Sequence, residues 1–430
     1  MKLILKKLIP KPMLSAYHFT VAWLAAVWYG HPSEKMVVVG ITGTSGKSSV
    51  VHFLRQILES AGRKVGALST VEFCVAGKCK LNDRKMTMLG RMQTQKFLRN
   101  MVRAGCEIVI VETTSEGYLQ SRHRFINYDI VVLTNLYAEH LEAHGGFENY
   151  KAAKLGIFKH VAGCSRKTLE IYRGSTSGIR IPEVEPRYVG KVAIVNTASE
   201  YTDEFLEFPF NEKIKFTVAD ALPTTLLGEH TPMNVAAALT VARALGIGED
   251  ILKTAASGLQ SVPGRIEFIP EAEARGFRVI VDYAFEPVAM AALYKVVEQI
   301  RPTRVIHVLG QTGGGRDTAK RPVLGRFVAQ RADIVIVTNE DSYDENPMKI
   351  IEDVAKGAEE CKMQNAKCKM SELFKILDRK EAIGKALSLA QPGDLVVITG
   401  KGSEQAMCVA QGKKIPWDDR KVVREFLAQL

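Results

Sequence analysis

The chain has 430 residues, of which 46% are hydrophobic and 24% are charged, and its formal net charge at pH 7 is +11. This length and balance predict two or three globular domains and argue against a disordered chain. Acidic and basic residues are interspersed, without a long Lys/Arg block and interleaved aromatic residues, so the charge indicates an anionic small molecule such as a nucleotide and disfavours nucleic acid.

Seven cysteines occur without any C-x-x-C pair. The odd number and the spacing argue against a disulfide framework and against a zinc site. We therefore expect a reducing compartment, the cytosol.

Residues 1–35 form a segment with a basic start and an apolar continuation. Four lysines come first: Lys2, Lys6, Lys7 and Lys11. The apolar run from Met13 to Tyr29 has about 17 residues, which is the short limit for a membrane span. Two interpretations stay open: a helix packed on the following domain, or an anchor on or across a membrane with a basic flank. A signal peptide is disfavoured because no small-residue cleavage site follows.

A glycine-rich turn, Gly-Ile-Thr-Gly-Thr-Ser-Gly-Lys-Ser-Ser at 40–49, follows the apolar run 36–39 and precedes a helical pattern. Glycines let backbone N–H groups approach phosphate oxygens, and the helix N-terminus adds a favourable dipole. Lys47 can reach terminal phosphates, and the Ser48 hydroxyl can ligate Mg²⁺. The strict pattern has glycine where Ile41 stands, so this is the shorter G-x-x-G-K-S form. We take ATP binding as the hypothesis, against the alternative of a glycine-rich turn with a surface lysine.

Strands and helices alternate after this turn. Strands are predicted at 64–70, 107–111, 130–134 and 192–195, helices at 94–104 and 233–245, and a polar excursion at 165–187. Short apolar runs separated by helices are typical of a largely parallel sheet covered on both faces. Residues 36–262 are therefore predicted to form a P-loop-type α/β ATP-binding domain.

A second alternation follows Val-Pro-Gly-Arg at 262–265, a predicted hinge. Strands are predicted at 278–281, 304–309, 333–338 and 395–399. Residues 263–430 are therefore predicted to form a smaller, Rossmann-like α/β domain.

Two predicted strand ends carry candidate metal ligands. Glu112 ends one strand and His140 follows another, and open α/β sheets bind ligands at this edge. Mg²⁺ prefers oxygen, so His140 taken alone is more typical of a structural histidine. Lys154, on the next predicted helix, is by spacing alone a residue of a charged helix face.

From about residue 36 to its C-terminus, the chain resembles the Mur ligases and is most similar to the UDP-N-acetylmuramoyl-tripeptide synthetases, which add the third amino acid of the peptidoglycan stem. The matching motifs, in chain order, lie at 43–48, 112–117, 134–136, 139–141, 144–145, 150–154, 228–234, 264–267, 282–284, 314–317, 320–322, 400–404 and 417–420. The resemblance implies an ATP-dependent ligase that forms an amide bond and releases ADP and phosphate, with ATP and Mg²⁺ as cofactors.

The resemblance also implies roles for individual residues. The catalytic residues are Lys47, Lys154, His140 and Glu112. The ATP-binding residues are Gly43, Thr44, Ser45, Gly46, Lys47, Ser48, Ser49, Asn234, Arg265, Asp282 and Tyr283. The metal ligands are Ser48, Glu112, His140 and Lys154, the last carbamoylated so that it offers a carboxylate-like oxygen. The substrate-contacting residues are Thr113, Thr114, Ser115, Arg122, Arg316, Lys320, Arg321, Tyr343 and Glu404.

Several positions depart from the family pattern. Phe285 and Ser403 stand where the family has histidines, and Tyr343 replaces the arginine that grips the distal carboxylate of diaminopimelate. Loss of that bidentate partner argues against diaminopimelate. Glu404 can receive a cationic amine, so lysine and ornithine remain candidates. Residues 1–35 stand where the family keeps a UDP-sugar-binding domain.

We therefore expect an amino-acid ligase acting on a carboxylate of a muramyl-peptide-like cell-wall precursor through an acyl phosphate. Alternatives are a polyglutamate-type ligase, a ligase with a lipid-linked acceptor, and a non-catalytic ATP-dependent switch. The expected partners are an amino acid and a cell-wall precursor, without nucleic acid. We expect a cytoplasmic monomer whose residues 1–35 offer a contact with the inner face of the membrane.

Overall fold

The computed structural model describes residues 11–84, 86–138, 144–170, 186–315, 318–364 and 368–429. The chain divides into two compact units, Met1–Thr225 with His230–Gln260, and Leu226–Glu229 with Ser261–Leu430. Each unit is built around its own sheet, as the predicted α/β fold class requires.

The first unit contains an eight-stranded sheet in the order β10-β9-β6-β1-β5-β2-β3-β4. Its strands and a separate pair, β7 with β8, are β1 Val37–Thr42, β2 Val65–Leu68, β3 Glu72–Val75, β4 Lys78–Leu81, β5 Ile108–Glu112, β6 Ile130–Leu133, β7 Lys167–Glu170, β8 Pro186–Val189, β9 Val192–Asn196 and β10 Glu212–Phe216. Pairing is parallel from β10 to β2 and antiparallel from β2 to β4. The central strands are buried along their length, which explains their near-continuous Val/Ile sequence.

The helices of the first unit are α1 Lys11–Trp28, α2 Lys47–Ser60, α3 Arg91–Arg103, α4 Ser115–Leu119, α5 Phe147–Ala162, α6 Thr202–Leu206, α7 Thr231–Ala244 and α8 Glu249–Ser257. Helix α1 packs against α3 and buries Ala22, Ala25 and Ala26. Among the described helices, none is both long and apolar enough to cross a membrane.

The second unit contains a six-stranded sheet in the order β11-β12-β16-β13-β14-β15, in which only the β11–β12 pair is antiparallel. The strands are β11 Glu267–Phe268, β12 Arg278–Asp282, β13 Val305–Leu309, β14 Ile334–Thr338, β15 Glu372–Ile376 and β16 Leu395–Thr399, followed by the hairpin β17 Ala406–Val409 and β18 Lys413–Pro416. The helices are α9 Pro287–Ile300, α10 Lys320–Ala329, α11 Pro347–Met363, α12 Arg379–Leu389 and α13 Asp419–Leu427. Alternate residues of β12 enter separate cores, Ile280 in one and Val279 and Val281 in the other. The sheet is therefore covered on both faces, and the predicted α/β fold is confirmed.

The prediction about cysteines was wrong for one pair. Cys74 and Cys79 face each other across the β3–β4 hairpin and form a disulfide. The turn between them passes through Ala76 and Gly77, both with positive φ, and returns the chain so that the two sulfurs meet. A search for C-x-x-C pairs misses this longer spacing because the hairpin, and not the spacing, brings the thiols together.

Candidate active site

The glycine-rich turn joins β1 to α2 in a conformation that requires its glycines. Gly43 has a φ of +147° and Gly46 a φ of +77°. A Cβ atom on Gly43 would lie 1.9 Å from the Thr134 side-chain oxygen, and one on Gly46 would lie 2.3 Å from the Asn234 side-chain oxygen. Both glycines therefore permit backbone geometry and close approach that other residues cannot reach. The same contact brings Asn234, on α7, to the loop.

Asn135 holds the loop in place, although it is not among the predicted site residues. Its Oδ1 accepts hydrogen bonds from the Thr44 N–H at 3.1 Å and the Ser45 N–H at 2.9 Å. These two hydrogen bonds therefore fix the shape of the turn. The start of helix α2, at Lys47–Ser49, is the candidate phosphate-binding part of it. The sequence signal for Asn135 is its position just after β6, the neighbour of β1.

Two lysines converge on one carbonyl of this loop. The Lys47 Nζ donates hydrogen bonds to the Gly43 oxygen at 3.0 Å and the Thr44 oxygen at 2.8 Å. The Lys154 Nζ, on α5, donates to the same Gly43 oxygen at 2.7 Å, and its residue is 1% exposed. The Lys47 ammonium beside a glycine-rich loop and a helix N-terminus suits a polyphosphate, so the residues present fit ATP.

Hard oxygen donors lie next to the loop. The Ser48 hydroxyl donates to the Glu112 Oε2 at 3.0 Å, and Glu112 is buried at the end of β5. Thr70 donates to the same carboxylate from its N–H at 2.8 Å and from its hydroxyl at 2.9 Å. Adjacent hydroxyl and carboxylate oxygens fit Mg²⁺, whereas the ammonium of Lys154 cannot ligate a cation unless it is carbamoylated. The predicted ligand His140 lies outside the described residues.

Thr70 is a site residue that the predictions do not include. It follows β2, which pairs with β5, so its position beside Glu112 is a consequence of strand order. A strand-end threonine is too common to identify from sequence alone.

The segment after β5 contains Thr113, Thr114 and Ser115, which are predicted to contact the substrate. The Thr113 hydroxyl donates to the Val111 oxygen at 3.1 Å, and the Thr114 hydroxyl caps α4 by accepting the Gly117 N–H at 3.0 Å. These two predicted substrate residues therefore order the backbone. Ser115, by contrast, lies 3.1 Å from His144 Nε2.

His144 links this segment to the loop. Its ring lies 5.1 Å from that of Tyr150, whose hydroxyl donates to the Thr44 hydroxyl at 3.2 Å. Ser115, His144, Tyr150 and Thr44 thus form a chain of contacts, in which two hydrogen bonds flank an edge-to-face contact of the two rings.

Arg122, a predicted substrate contact, is half-buried. Its guanidinium donates to the Met88 carbonyl and, at 2.7 Å, to the Gln120 Oε1. Burial lowers the pKa of this guanidinium. The side chain is therefore held by its own loop and by the segment before α3 in this structure.

Arg265, Asp282 and Tyr283, which are predicted to bind ATP, lie close together on two segments of the second unit. The Asp282 carboxylate accepts the N–H groups of Ile266 and Ala284, each at 2.7 Å, and burial raises the pKa of this carboxyl. The Arg265 guanidinium lies 5.3 Å from the ring centre of Tyr283. Asp282 therefore shapes the backbone on which Arg265 and Tyr283 are presented.

An acidic cluster surrounds Lys401 in the second unit. The Lys401 Nζ donates to Asp341 at 2.8 Å and to Glu404 at 2.5 Å. Glu340 accepts the Thr312 hydroxyl at 2.9 Å through Oε1, and burial raises the pKa of its carboxyl. The Glu340 Oε2 is one of several buried side-chain atoms of the described residues for which no hydrogen-bond partner is found. The buried Arg379 also acts on Glu340 and Asp341 and is paired with Asp419, so carboxyl groups outnumber cations and the cluster is suited to a further cation.

Tyr343 lies at the edge of the acidic cluster in a strained backbone conformation. Its φ is +50°, and it forms a β-bridge with Val409. A Cβ atom on Gly314 would lie 3.0 Å from the Tyr343 ring. The ring therefore covers the glycine turn after β13, where the family pattern places a guanidinium.

Two predicted substrate residues are held in ion pairs. Arg321 is buried and donates to Glu345 at 2.7 Å and Asp353 at 2.9 Å. Lys320 donates to Glu286 at 2.5 Å. Arg321 therefore stabilises the start of α10, whereas the predicted Arg316 lies outside the described residues.

Comparisons with known proteins identify the family of this chain. The Mur ligase middle domain matches residues 41–242, and the Mur ligase glutamate ligase domain matches residues 264–402. The UDP-N-acetylmuramyl-tripeptide synthetase of Borreliella afzelii (strain PKo) is 35% identical over 94% of this chain and 79% of its own length. The UDP-N-acetylmuramoyl-L-alanyl-D-glutamate–2,6-diaminopimelate ligase of Aquifex aeolicus (strain VF5) is 31% identical over 93% of this chain and 79% of its own length.

A solved structure of Mycobacterium tuberculosis folylpolyglutamate synthase, complexed with ADP and AMPPCP, shares the fold with a TM-score of 0.59. It is 17% identical and covers 89% of this chain and 92% of its own. The two domain matches and the level of identity over most of the relatives' length establish the family. The chain belongs to the Mur ligase family and is an ATP-dependent ligase that forms an amide bond with release of ADP and phosphate.

Proposed function

We propose that this ligase adds an amino acid to a carboxylate of a muramyl-peptide-like precursor in peptidoglycan biosynthesis. The observation that carries the proposal is the convergence of Lys47 and Lys154 on the Gly43 carbonyl beside the Ser48–Glu112 pair. The Lys47 ammonium suits charge neutralisation during phosphoryl transfer, and the Ser48 and Glu112 oxygens suit the Mg²⁺ that accompanies ATP. The names of the relatives support the acceptor class.

The chemistry has two steps. A carboxylate oxygen of the acceptor attacks the γ-phosphorus of ATP, the bond to ADP breaks, and an acyl phosphate forms. The amine of the amino acid then attacks the acyl carbon, phosphate leaves, and the amine loses a proton to solvent. Lys47 stabilises charge on the transferring group, and water exclusion protects the acyl phosphate from hydrolysis.

Mg²⁺ is part of the proposal, held by Ser48, Glu112 and His140, and it would supply charge neutralisation at the phosphates. Lys154 joins these ligands as a carbamate, because carbamoylation replaces an ammonium by an anionic oxygen donor. The position of Lys154 supports this role, since its Nζ is buried beside the glycine-rich loop, 2.7 Å from the Gly43 oxygen.

The amino acid in this proposal is cationic, with lysine and ornithine as the candidates. Asp341 and Glu404 contact Lys401, and Glu340 lies close to both Lys401 and Arg379, whose guanidinium is already paired with Asp419. Carboxyl groups outnumber cations in this cluster, so it accepts a further positive charge more readily than a distal carboxylate. Tyr343 lacks the guanidinium that a distal carboxylate would need.

We also propose a separate role for each of the two predicted domains. Residues 36–262 bind ATP, and residues 263–430 contribute the amino-acid site. We further propose a cytoplasmic monomer that works at the inner face of the membrane through residues 1–35.

A lipid-linked acceptor is the second candidate, and the apolar surface of α1 is the observation that favours it. A polyglutamate-type reaction is supported only by the similarity of the fold to that of folylpolyglutamate synthase.

The decisive screen combines purified chain, ATP and Mg²⁺ with a panel of acceptors and amino acids, and it reads ADP release and product mass. We expect one ADP per amide, with a muramyl dipeptide nucleotide as acceptor and lysine or ornithine as donor. ADP release without any product of increased mass would contradict the proposal and favour the ATP-dependent switch.

A further inference from the structure

Helix α1 exposes one broad apolar face. The large side chains on this face are Met13, Tyr17, Phe19, Trp23, Leu24, Val27 and Trp28. Trp28 is 79% exposed and Trp23 is 47% exposed. A contiguous set of this size on one element indicates a binding surface, since scattered apolar residues are the usual condition of a protein exterior.

The opposite face of α1 is already in use. Ala22, Ala25 and Ala26 are buried where α1 packs against α3. The sequence 12–33 contains no Asp, Glu, Lys or Arg, and the Thr20 hydroxyl donates to the Ala16 oxygen at 2.9 Å. The helix is thus held on the first unit with an outward face that carries no formal charge.

Basic residues accompany this apolar face, both in the sequence and in the structure. In the sequence, residues 1–33 contain four lysines and no acidic residue. Helix α3 carries Arg91, Lys96, Arg99 and Arg103, and no acidic residue occurs between 84 and 106. The exposed Arg124 has its guanidinium 6.0 Å from the ring centre of Phe19. This combination of an apolar, aromatic face and a basic border complements anionic lipid headgroups above hydrocarbon.

We propose that α1 and its basic border form a docking surface for an anionic lipid bilayer, with α1 lying in the plane of the headgroups. Tryptophan and tyrosine side chains favour the headgroup region of a bilayer, because their rings are apolar and their N–H or O–H groups remain hydrated there. A second copy of the chain fits less well, because it would bring the same positive border against itself. The inference rests on the proposed location at the membrane and is independent of the ligase reaction.

The docking surface adjoins a segment of the candidate active site. The ring of Phe19 packs 5.1 Å from that of Phe125, at the end of the loop that carries Arg122. A bilayer bound to α1 therefore lies beside a loop assigned to the acceptor.

The test uses the full-length protein without nucleotide and measures co-sedimentation with vesicles. One set contains equal phosphatidylglycerol and phosphatidylcholine, and the other contains phosphatidylcholine alone. We expect at least about tenfold tighter binding to the anionic vesicles, weakened by 0.5 M NaCl. The double variant Trp23→Ser/Trp28→Ser should bind at least about tenfold more weakly.

The matched control is Val288→Ser/Met363→Ser, which removes two exposed apolar side chains of the second unit and should bind like the parent protein. Emission of the parent protein should shift to the blue on anionic vesicles, and the shift should vanish in the tryptophan double variant, where only Trp417 remains. Circular dichroism verifies that both variants are folded.

Three results would overturn the inference: no binding to anionic vesicles, equal binding by the tryptophan double variant, or salt-insensitive binding. A dimer that the double variant abolishes, in the absence of vesicle binding, would assign the face to a second copy. Amide formation from soluble substrates is measured separately, so a failure here leaves the proposed reaction intact.

Discussion

The Lys154 Nζ lies 2.7 Å from the carbonyl oxygen of Gly43, so a buried lysine of α5 is anchored to the loop that follows β1. This contact joins a residue that spacing alone would assign to a charged helix face to the candidate phosphate site. Carbamoylation would replace the Lys154 ammonium, a hydrogen-bond donor, by an oxygen ligand for a metal ion. The effect of a Lys154 substitution on activity depends on that replacement.

Replacing Lys154 by alanine should lower kcat at least about 100-fold, because a metal ligand is lost. A small added carboxylate should restore part of the activity by occupying the space of the carbamate. The measurement is amide formation against acetate concentration. Lys151→Ala is the matched control on the same helix, since its pairs with Glu148 and Glu204 are worth about 0–1 kcal/mol. An active Lys154→Ala variant would remove this residue from the mechanism.

Gly46→Ala should abolish nucleotide binding, because the new Cβ would lie 2.3 Å from the Asn234 side chain at a φ of +77°. Gly62→Ala measures the cost of the left-handed backbone conformation without a steric clash. Gly62 has a φ of +74°, and no atom of the described residues lies within 4 Å of the place its Cβ would take. We expect Gly62→Ala to cost about 1 kcal/mol of folding free energy and to retain ATP affinity. Calorimetric titration with ATP separates the two variants, and equal affinities would contradict the close-packed loop.

Glu404→Gln should raise the KM for lysine about 10–100-fold with a smaller effect on kcat, because a charged hydrogen bond to the amine is worth about 1.5–3 kcal/mol. The Glu425→Gln variant, at a half-buried position that pairs with Lys380, provides the control for loss of one negative charge in this unit. An unchanged KM would indicate that the amine binds elsewhere.

Stability should fall as the pH falls below about 6.5. Burial lowers the pKa of His307 to about 3, so the unfolded chain binds a proton there that the folded chain rejects. This histidine alone contributes a slope of about 1.4 kcal/mol per pH unit between the unfolded and folded pKa values. His160 and His123, whose pKa values burial lowers to about 4 and about 2, add to it. Urea unfolding at pH 7 and pH 5 measures the slope, which His307→Gln should reduce; an unchanged slope would contradict the assignment.

Local patterns predicted the parts of the site that lie close together in sequence. The turn at 43–49 combines glycines, Lys47 and a helix start within a few residues, and Glu112 follows an apolar strand. Asn135 and Thr70 could not be predicted in the same way, because their contacts depend on which strands become neighbours of β1 and β5.

Burial and pairing account for the other differences. Arg321 pairs with Glu345 and Asp353 beneath the surface, which the sequence did not reveal, and its contact with substrate stays a prediction. The Cys74–Cys79 disulfide depends on a hairpin that residue spacing does not reveal. In each case, a partner distant in sequence or a turn conformation decides what the side chain does.

The acyl phosphate is the central claim, and transfer of oxygen from the acceptor tests it most directly. An acceptor labelled with ¹⁸O in its reacting carboxylate is converted with ATP, Mg²⁺ and lysine, and the released phosphate is analysed by mass spectrometry. The proposed mechanism predicts one ¹⁸O in each phosphate, since a carboxylate oxygen becomes the bridge to phosphorus and leaves with it. Amide product accompanied by unlabelled phosphate would contradict the mechanism.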